Sequence, residues 1–591
     1  MMTTTTLSAN IAHYTFEITG VDESFAVFEY ESKESLSQTF RWQLELACKN
    51  SAIDLIRVVG KAGLLSIYDQ DLNEVRYVHG MINQFDHVAQ IKSDTHYQVE
   101  LVPQLCLLNY RRHNRIFQQL SVEDIIKKVM KTAGLADDYY QIGLSGSYQP
   151  RDYCVQYGET DLHFIQRLME EEGIFYFFEH THTAHTLRIA DHSSVHTNIV
   201  NPEIPYNEAS NLLADKNYVY ALRHSQSLQS GSVRLNDYNY EKPALGLQVD
   251  VEADSDAHLN RYDYPGVFDT PKRGKTLAKV MLEAHQAQKR IITGRSNCRQ
   301  LLPGYRFTVS LHPRGDFNQT YLITAVEQSA TQYQALEQAN NSLKSTYESR
   351  FTCIPKDTVY RPPRRTPKPR IDGVQTAIVV GAQGKEIDTD EYGRVTVQFH
   401  WDLDGKHDEN SSCSIRVSQA TAGDGWGAQF IPRIGQEVVV EFINGDPDRP
   451  LITGCVYHGT NTPPYRLPAN KTQSGLKTIS TPGGGVTNFN ELRFEDKKGD
   501  EEIFIQAEKD FRRLVKHDEQ AEIKANLTLK ITEASQQKAK SVLIDASDSI
   551  ELKVGGSSIK ITPTGILVET TKVDVNGNAM VNIKGGLVKI N

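Results

Sequence analysis

A chain of 591 residues is long enough for about three to five domains of ordinary size. Its composition, 39% hydrophobic and 23% charged, excludes a mainly disordered protein. The formal net charge of −10 gives no electrostatic case for wrapping nucleic acid or adhering to an anionic membrane. Met1 to Phe16 has a threonine run but no cationic stretch followed by an apolar segment of about 7 to 15 residues, as a secretory signal requires. No apolar run approaches the roughly 18 residues that cross a bilayer. The expectation is a soluble chain made in the cytoplasm without a signal peptide and without stable membrane insertion. Its seven cysteines, Cys48, Cys106, Cys154, Cys298, Cys353, Cys413 and Cys455, are scattered singly and read as reduced thiols, mostly in the core.

The first 350 or so residues mix strand-like alternation with a few helices, an α+β pattern. Ser121 opens one helix: its hydroxyl caps the amide of Asp124, and Ile125, Ile126, Val129 and Met130 follow at helical spacing until Gly134. Thr160 opens a second, with Leu162, Ile165, Leu168 and Met169 on one face. Glu170 to Glu172 end it, and Gly173 leads into the buried-strand run Ile174 to Phe178. A third helix is expected near Lys272 to Arg290.

Between Arg361 and Arg370, five of ten residues are basic and four are proline. Proline favours extended backbone and like charges repel, so the segment reads as a semi-rigid spacer. From Ile371 to Tyr457, five strand candidates (Thr376 to Val380, Arg394 to Phe399, Ser414 to Ser418, Glu437 to Phe442 and Leu451 to Val456) are separated by glycine-rich or acidic turns. Five short strands without a helical pattern fit a small closed barrel such as an OB-fold.

The last 80 residues, Arg512 to Asn591, contain no Phe, Tyr or Trp and a single proline, Pro563. Aromatic rings dominate ordinary cores, so this stretch cannot build one. It offers short period-two alternation instead: Ile550, Leu552, Val554; Ile559, Ile561; Ile566, Val568; Val573, Val575; Val581, Ile583. Strands this short, with one narrow aliphatic stripe, bury too little area to stand alone. A β-solenoid or an intertwined prism in which three identical chains share one thin core is the simplest closed solution.

Three groups of motifs carry a resemblance to a known family. They are Arg151-Asp-Tyr-Cys-Val-Gln-Tyr-Gly-Glu-Thr-Asp161 with Glu170 to Glu179; Gly393-Arg-Val-Thr-Val-Gln-Phe-His-Trp-Asp402 with Ile415 to Gln419, Gly425 to Ala428, Ile431 to Glu437 and Gly445 to Pro450; and Asn490 to Gly499 with Ile505 to Asp510. In this order they resemble the VgrG spike family of bacterial type VI secretion systems, itself similar to a fusion of the tailed-phage baseplate hub with the phage tail spike. The resemblance implies a mainly β protein with an α+β N-terminal part: a phage-hub-like tandem barrel region over 1–360, a linker over 361–370, an OB-fold over 371–460, a second linker over 461–474 and a trimeric β-helix or β-prism over 475–591.

It further implies a homotrimer seated on the Hcp tube among baseplate proteins, a PAAR-type protein on its tip, and effector toxins carried into a target cell. The terminal alternation Leu587, Val588, Lys589, Ile590 and Asn591 is the expected docking surface, because unpaired strand ends attract further strands unless capped. The phage spike's lysozyme has no room here, since Tyr457 and Ser474 bracket only sixteen residues. Any toxin is expected to be separate cargo.

Catalytic and metal chemistry is expected to be absent, and with it any cofactor. His180-Thr-His182-Thr-Ala-His185, with His192 and His196 beyond, has the alternation of a metal site but no Cys or carboxylate cluster to complete it, and reads as a polar surface loop. Asp402-Leu-Asp404-Gly with His407 and Asp408 lacks the ligand spacing of a calcium loop and reads as a hairpin turn. Cys154 with His163 has no orienting third group, so a core cysteine is expected. Glu170, Glu171 and Glu172 point in different directions on a helix and read as a solvated helix end. Two alternatives stand: the spike of a contractile phage tail or related injection machine, and a β-solenoid polysaccharide or cell-wall depolymerase using Asp545, Asp548 and Glu551.

Overall fold

The computed structural model describes residues 13–68, 73–208, 217–332 and 345–590. Its N-terminal half is organised by one twelve-stranded sheet that closes on itself twice. Tyr14–Ile18, Ala62–Tyr68, Glu74–Ile91, Asp94–Val102, Arg41–Cys48 and Val21–Ser35 follow one another in hydrogen-bonding order, and Tyr14–Ile18 then pairs antiparallel with Val21–Ser35 to complete a six-stranded barrel. A second ring runs through Asn198–Pro205, Arg306–Ser310, Thr320–Thr331, Thr346–Pro355, Arg290–Ser296 and Val219–Gln226, and a Tyr206↔Val219 bridge closes it. The barrels are joined edge to edge where Val21–Ser35 pairs with Thr320–Thr331, from Ala325↔Ser35 to Thr331↔Glu29. Closure removes the free edges that an open sheet of this size would present.

Both interiors are aromatic. Phe16, Phe25, Trp42, Phe85 and Tyr97 fill the first barrel, and Phe307, Tyr321 and Phe351 the second. The helices are α1 (Leu55–Val58), α2 (Val122–Thr132), α3 (Asp161–Glu172) and α4 (Pro271–Gln286). Ser121 caps α2 as its sequence predicts, within a full capping box with Asp124, and Thr160 caps α3. Helix α3 ends at Gly173, whose φ of +72° and packing against Val280 leave no room for a Cβ. The expected helix near Lys272 to Arg290 is α4, which covers a small sheet of Val249–Glu252, Ser232–Leu235 and Asn260–Asp263.

Residues 371–457 form a small barrel. Thr396–Phe399, Gln375–Val380, Glu437–Phe442 and Pro450–Val456 pair in that order. The fifth expected strand, Ser414 to Ser418, is not a strand. It contributes only the isolated bridges Val395↔Ile415 and Val417↔Ile452, yet these two join the outer strands and close the ring.

The chain divides into two units, residues 1–508 and 509–591. At the end of the first lies a three-stranded antiparallel sheet of Gln473–Lys477, Glu491–Glu495 and Glu502–Gln506. The second contains an antiparallel meander, Ile550–Val554, Ser557–Thr562 and Gly565–Glu569. The other alternating pieces expected to be strands, Val573 to Val575 and Val581 to Ile583, form no ladder in the single chain. A strand needs a partner edge, and among the described residues the chain supplies none there.

Candidate functional site

The meander gathers the predicted stripe onto one face. In an antiparallel ladder directly opposed residues point the same way, and the opposed pairs are Ile550↔Ile561, Leu552↔Ile559, Ile559↔Val568 and Ile561↔Ile566. Val554 continues this face opposite Ser557, while Glu551, Lys553, Lys560 and Glu569 occupy the reverse. The aliphatic face is uncovered in the single chain: Leu552 is 61% and Val568 47% exposed, and Val573 and Val575, outside any strand, are exposed as well. Leu587, Val588, Lys589 and Ile590 are also exposed and extend no sheet, and Asn591 lies outside the described residues. Asp545 and Asp548 lie outside the strands, apart from Glu551 on the polar face.

A second apolar face was missed in the sequence reading. Leu476, Leu492 and Ile505 are opposed across the sheet ending the first unit, and Phe494↔Ile503 continues the row. All five side chains are exposed. The signal was present as alternation in Leu492-Arg-Phe494 and Ile503-Phe-Ile505, within segments read only as family motifs.

The proline-arginine segment is not a spacer. Glu170, at the end of α3, accepts the backbone amides of Arg365 and Thr366, each at 2.8 Å, and the Thr366 hydroxyl at 2.8 Å. Arg361 donates to the carbonyl of Gly173 at 3.0 Å and to the Glu283 carboxylate at 2.8 Å. Lys368 sits 2.6 Å from both Asp446 and Asp448 of the small barrel. Asp448 also accepts the amide of Val155 at 2.6 Å, and Arg449 reaches back to Asp237. Arg361, Arg364, Lys368 and Arg370 each meet a carbonyl or a carboxylate, which offsets the repulsion that composition suggests. The strap also neutralises the negative end of the α3 dipole, where Arg361 meets a terminal carbonyl.

The reading of Glu170 to Glu172 as a solvated helix end is corrected by the same contacts. Glu170 and Glu172 are buried, and Glu172 takes both Arg151 and Arg273. Burial opposes ionisation of Glu171, but Arg151, Lys368 and Arg364 outweigh it and bring the carboxyl down to about 2. These carboxylates are structural anions.

The histidine cluster is likewise no surface loop. His180 and His185 face each other across the hairpin of Phe175–His180 and His185–Ala190, and His185 is buried. Only His182 stays in the exposed turn. His196 is buried elsewhere, stacked on Phe175. Among the described residues, no group of three His, Cys, Asp or Glu side chains is arranged to hold a metal ion. Asp402 is buried and accepts the amide of Asp404 within the turn between barrel strands. Cys154 is buried in Cys154–Thr160, where burial pushes its thiol up to about 12, and His163 pairs with Glu159 at 2.6 Å. No thiolate nucleophile forms there. The cysteines are free, with Cys48, Cys154, Cys298 and Cys353 buried and Cys455 exposed.

Comparison with known proteins matches three family models in chain order: the phage tail baseplate hub at residues 33–334, the type VI secretion system/phage-baseplate injector OB domain at 375–457, and the bacteriophage T4 gp5 C-terminal trimerisation domain at 474–585. The type VI secretion system spike protein VgrG1a of Pseudomonas aeruginosa is 40% identical over 83% of this chain and 76% of its own length. The chain belongs to the VgrG family. VgrG4b of the same organism is 38% identical over 87% of this chain, which spans 64% of that relative's length. Among solved structures, the E. coli c3393 protein, described as a type VI secretion component similar to T4 gp27 and gp5, aligns with a TM-score of 0.55 and 23% identity. It covers 75% of this chain and 99% of its own. That likeness is one of fold, and it agrees with the paired barrels and small closed barrel of this VgrG chain. Among the described residues no helix is long and apolar enough to cross a membrane.

Proposed function

We propose that this VgrG protein is a non-enzymatic, homotrimeric puncturing spike of a type VI secretion system. In this reading residues 1–360 are the hub that docks on the Hcp tube, 371–460 the OB-fold, and 475–591 a prism that three chains build together. The exposed alternating side chains Leu587, Val588 and Ile590, with Lys589 and Asn591, are assigned to a PAAR-type tip protein, and effectors travel as separate cargo. The observation that carries the reading is the aliphatic face of Ile550, Leu552, Val554, Ile559, Ile561, Ile566 and Val568, on which Ile550 is half-buried and the other six are exposed in one chain. A face of that kind is costly unless other surfaces cover it, and a match to a trimerisation domain over 474–585 supports copies of the same chain as the cover. Mechanical work needs rigidity rather than a catalytic pocket, and the clamped strap between hub and barrel supports that.

Light scattering after size-exclusion chromatography tests it. The expected mass is three times 66.6 kDa, and a folded monomer overturns the spike reading. Removing 587–591 is expected to abolish capture of a PAAR-type protein while leaving the trimer; undiminished capture moves the docking site elsewhere.

A further inference from the structure

The hub holds a cluster of imidazoles that the spike reading does not use. His185 Nε2 lies 3.0 Å from the backbone nitrogen of Gln104, and its Nδ1 lies 2.9 Å from Nδ1 of His79. A backbone N–H can only donate, so His185 Nε2 carries a lone pair and the ring's proton sits on Nδ1. That proton points at His79 Nδ1, which must accept it, leaving the His79 proton on Nε2. His180 Nδ1 faces the backbone of the same residue, 3.2 Å from the His79 nitrogen and 3.1 Å from its carbonyl oxygen. His180 Nε2 is buried without a hydrogen-bond partner among the described residues.

Three elements meet here: the barrel strand Glu74–Ile91, the 3₁₀ turn Gln104–Tyr110, and the tip of the hairpin Phe175–His180 and His185–Ala190. The order of protons has one consequence. Charging His185 turns Nε2 into a donor aimed at the Gln104 N–H. Charging His79 sets two N–H groups head to head across 2.9 Å. Neither ring can take a proton while the tip is seated.

We propose that His79, His180 and His185 form an acid-sensitive latch, closed at neutral pH and opened more often as the pH falls, because the hairpin tip must lift from the barrel before the rings can be protonated.

The surroundings supply no counter-charge to relieve the conflict. On the barrel strand, Arg76 is engaged by Glu34 and His182 faces Tyr77. On the hairpin, Glu179 pairs with Arg188. From the turn comes Cys106, a neutral thiol pushed up to about 11 by burial. The Tyr139 hydroxyl accepts the Leu105 amide, and the Phe40 and Phe178 rings close the remaining sides. No carboxylate among the described residues pairs with the three rings. In keeping with this geometry, burial followed by the neighbouring His79 pushes His185 down to about 3, and burial holds His180 well below the ordinary imidazole value and His79 below it as well.

Amide hydrogen exchange on the full chain, read from peptides covering 74–82 and 99–110 at pH 7.5 and pH 5.0 and corrected for intrinsic rates, tests the latch. One imidazole that is neutral when closed and titrates at about 6.5 when open raises the opening constant roughly 30-fold over that interval. The wild type is expected to show at least that increase. The double variant His79→Gln with His185→Gln keeps a donor and an acceptor on each side chain without a titrating group, and its increase is expected to fall below a tenth of the wild type's. Equal protection at both pH values in the wild type, or an undiminished increase in the variant, overturns the proposal.

If the variant does not fold, exchange at the imidazole Cε1–H of the wild type decides. His185 is expected to titrate below pH 5. A His185 midpoint near 6.5 with the Gln104 amide still protected refutes the latch.

Discussion

The hub and small barrel bury their apolar side chains within one chain, and the aromatic-free tail does not. Trp42, Tyr97, Phe307 and Phe399 are almost wholly inaccessible, and among the described residues no core cluster reaches past Ile452. Beyond it, Leu552, Val554 and Ile566 on an equally regular β-lattice are each more than 60% exposed. Hydrophobicity is not what differs. A closed barrel gives each strand two neighbours and an inside, whereas a three-stranded meander has two faces, and one chain covers neither. The difference teaches that the first region closes its core within one chain, whereas the second leaves an apolar face that one chain does not cover.

The sharpest way to break that contrast is a charge on the tail's open face. In the proposed trimer Val568→Asp would place one carboxylate from each of three chains in the shared core, a burial costing several kcal/mol per chain. The expected outcome is loss of the trimer by light scattering with the hub still folded by circular dichroism. If the face serves no assembly, a half-exposed position should tolerate the change and the mass should stay unaltered.

The converse substitution attacks the hub alone. Glu34 pairs with Arg76 inside the first barrel, where Arg76 also lies 5.0 Å from the Trp42 ring centre and bonds Gln328 at 2.7 Å. Glu34→Gln leaves a buried guanidinium without its counter-ion and is expected to cost about 3–5 kcal/mol of hub stability in urea titration. Trimer mass should be retained.

A smaller effect is expected at the strap. Lys368→Met leaves Asp446 and Asp448 facing each other without their cation, at a cost of about 2–3 kcal/mol. The readout is faster proteolytic cleavage within 361–370, with no change in the mass of the uncut protein.

The smallest concerns His196, whose Nδ1 lies 2.8 Å from the Gly304 carbonyl oxygen and which burial pushes down to about 4. The folded ring stays neutral while the unfolded one takes a proton near pH 6.5. Its contribution is therefore complete above that pH, declines as pH falls, and levels off near pH 4. Between pH 7.5 and 5.0 the wild-type hub should lose about 2 kcal/mol more than the His196→Phe variant, measured as the shift in urea midpoint.

Helix caps and strand alternation were legible because their causes lie within a few residues. Ser121 needed only Asp124, and Thr160 only His163, to state where α2 and α3 begin. The aliphatic stripe from Ile550 to Val568 came from period two, and the lack of aromatic rings marked the tail as a separate material. Motif order likewise named the family.

What the residues could not announce was long-range pairing. Glu170 meets Thr366 across 196 positions of sequence, so a helix end that looked solvated became the anchor of a strap that looked free. His180 and His185 read as a loop until the barrel strand brought His79 against them. Ser414 to Ser418 had the pattern of a strand, but two single bridges were all the ring's geometry required. The sequence by itself determined local backbone and the periodicity of apolar faces, because these depend on neighbours in the chain. Only the tertiary structure decided which charges and imidazoles lose their water, because desolvation is set by whatever distant element packs over them.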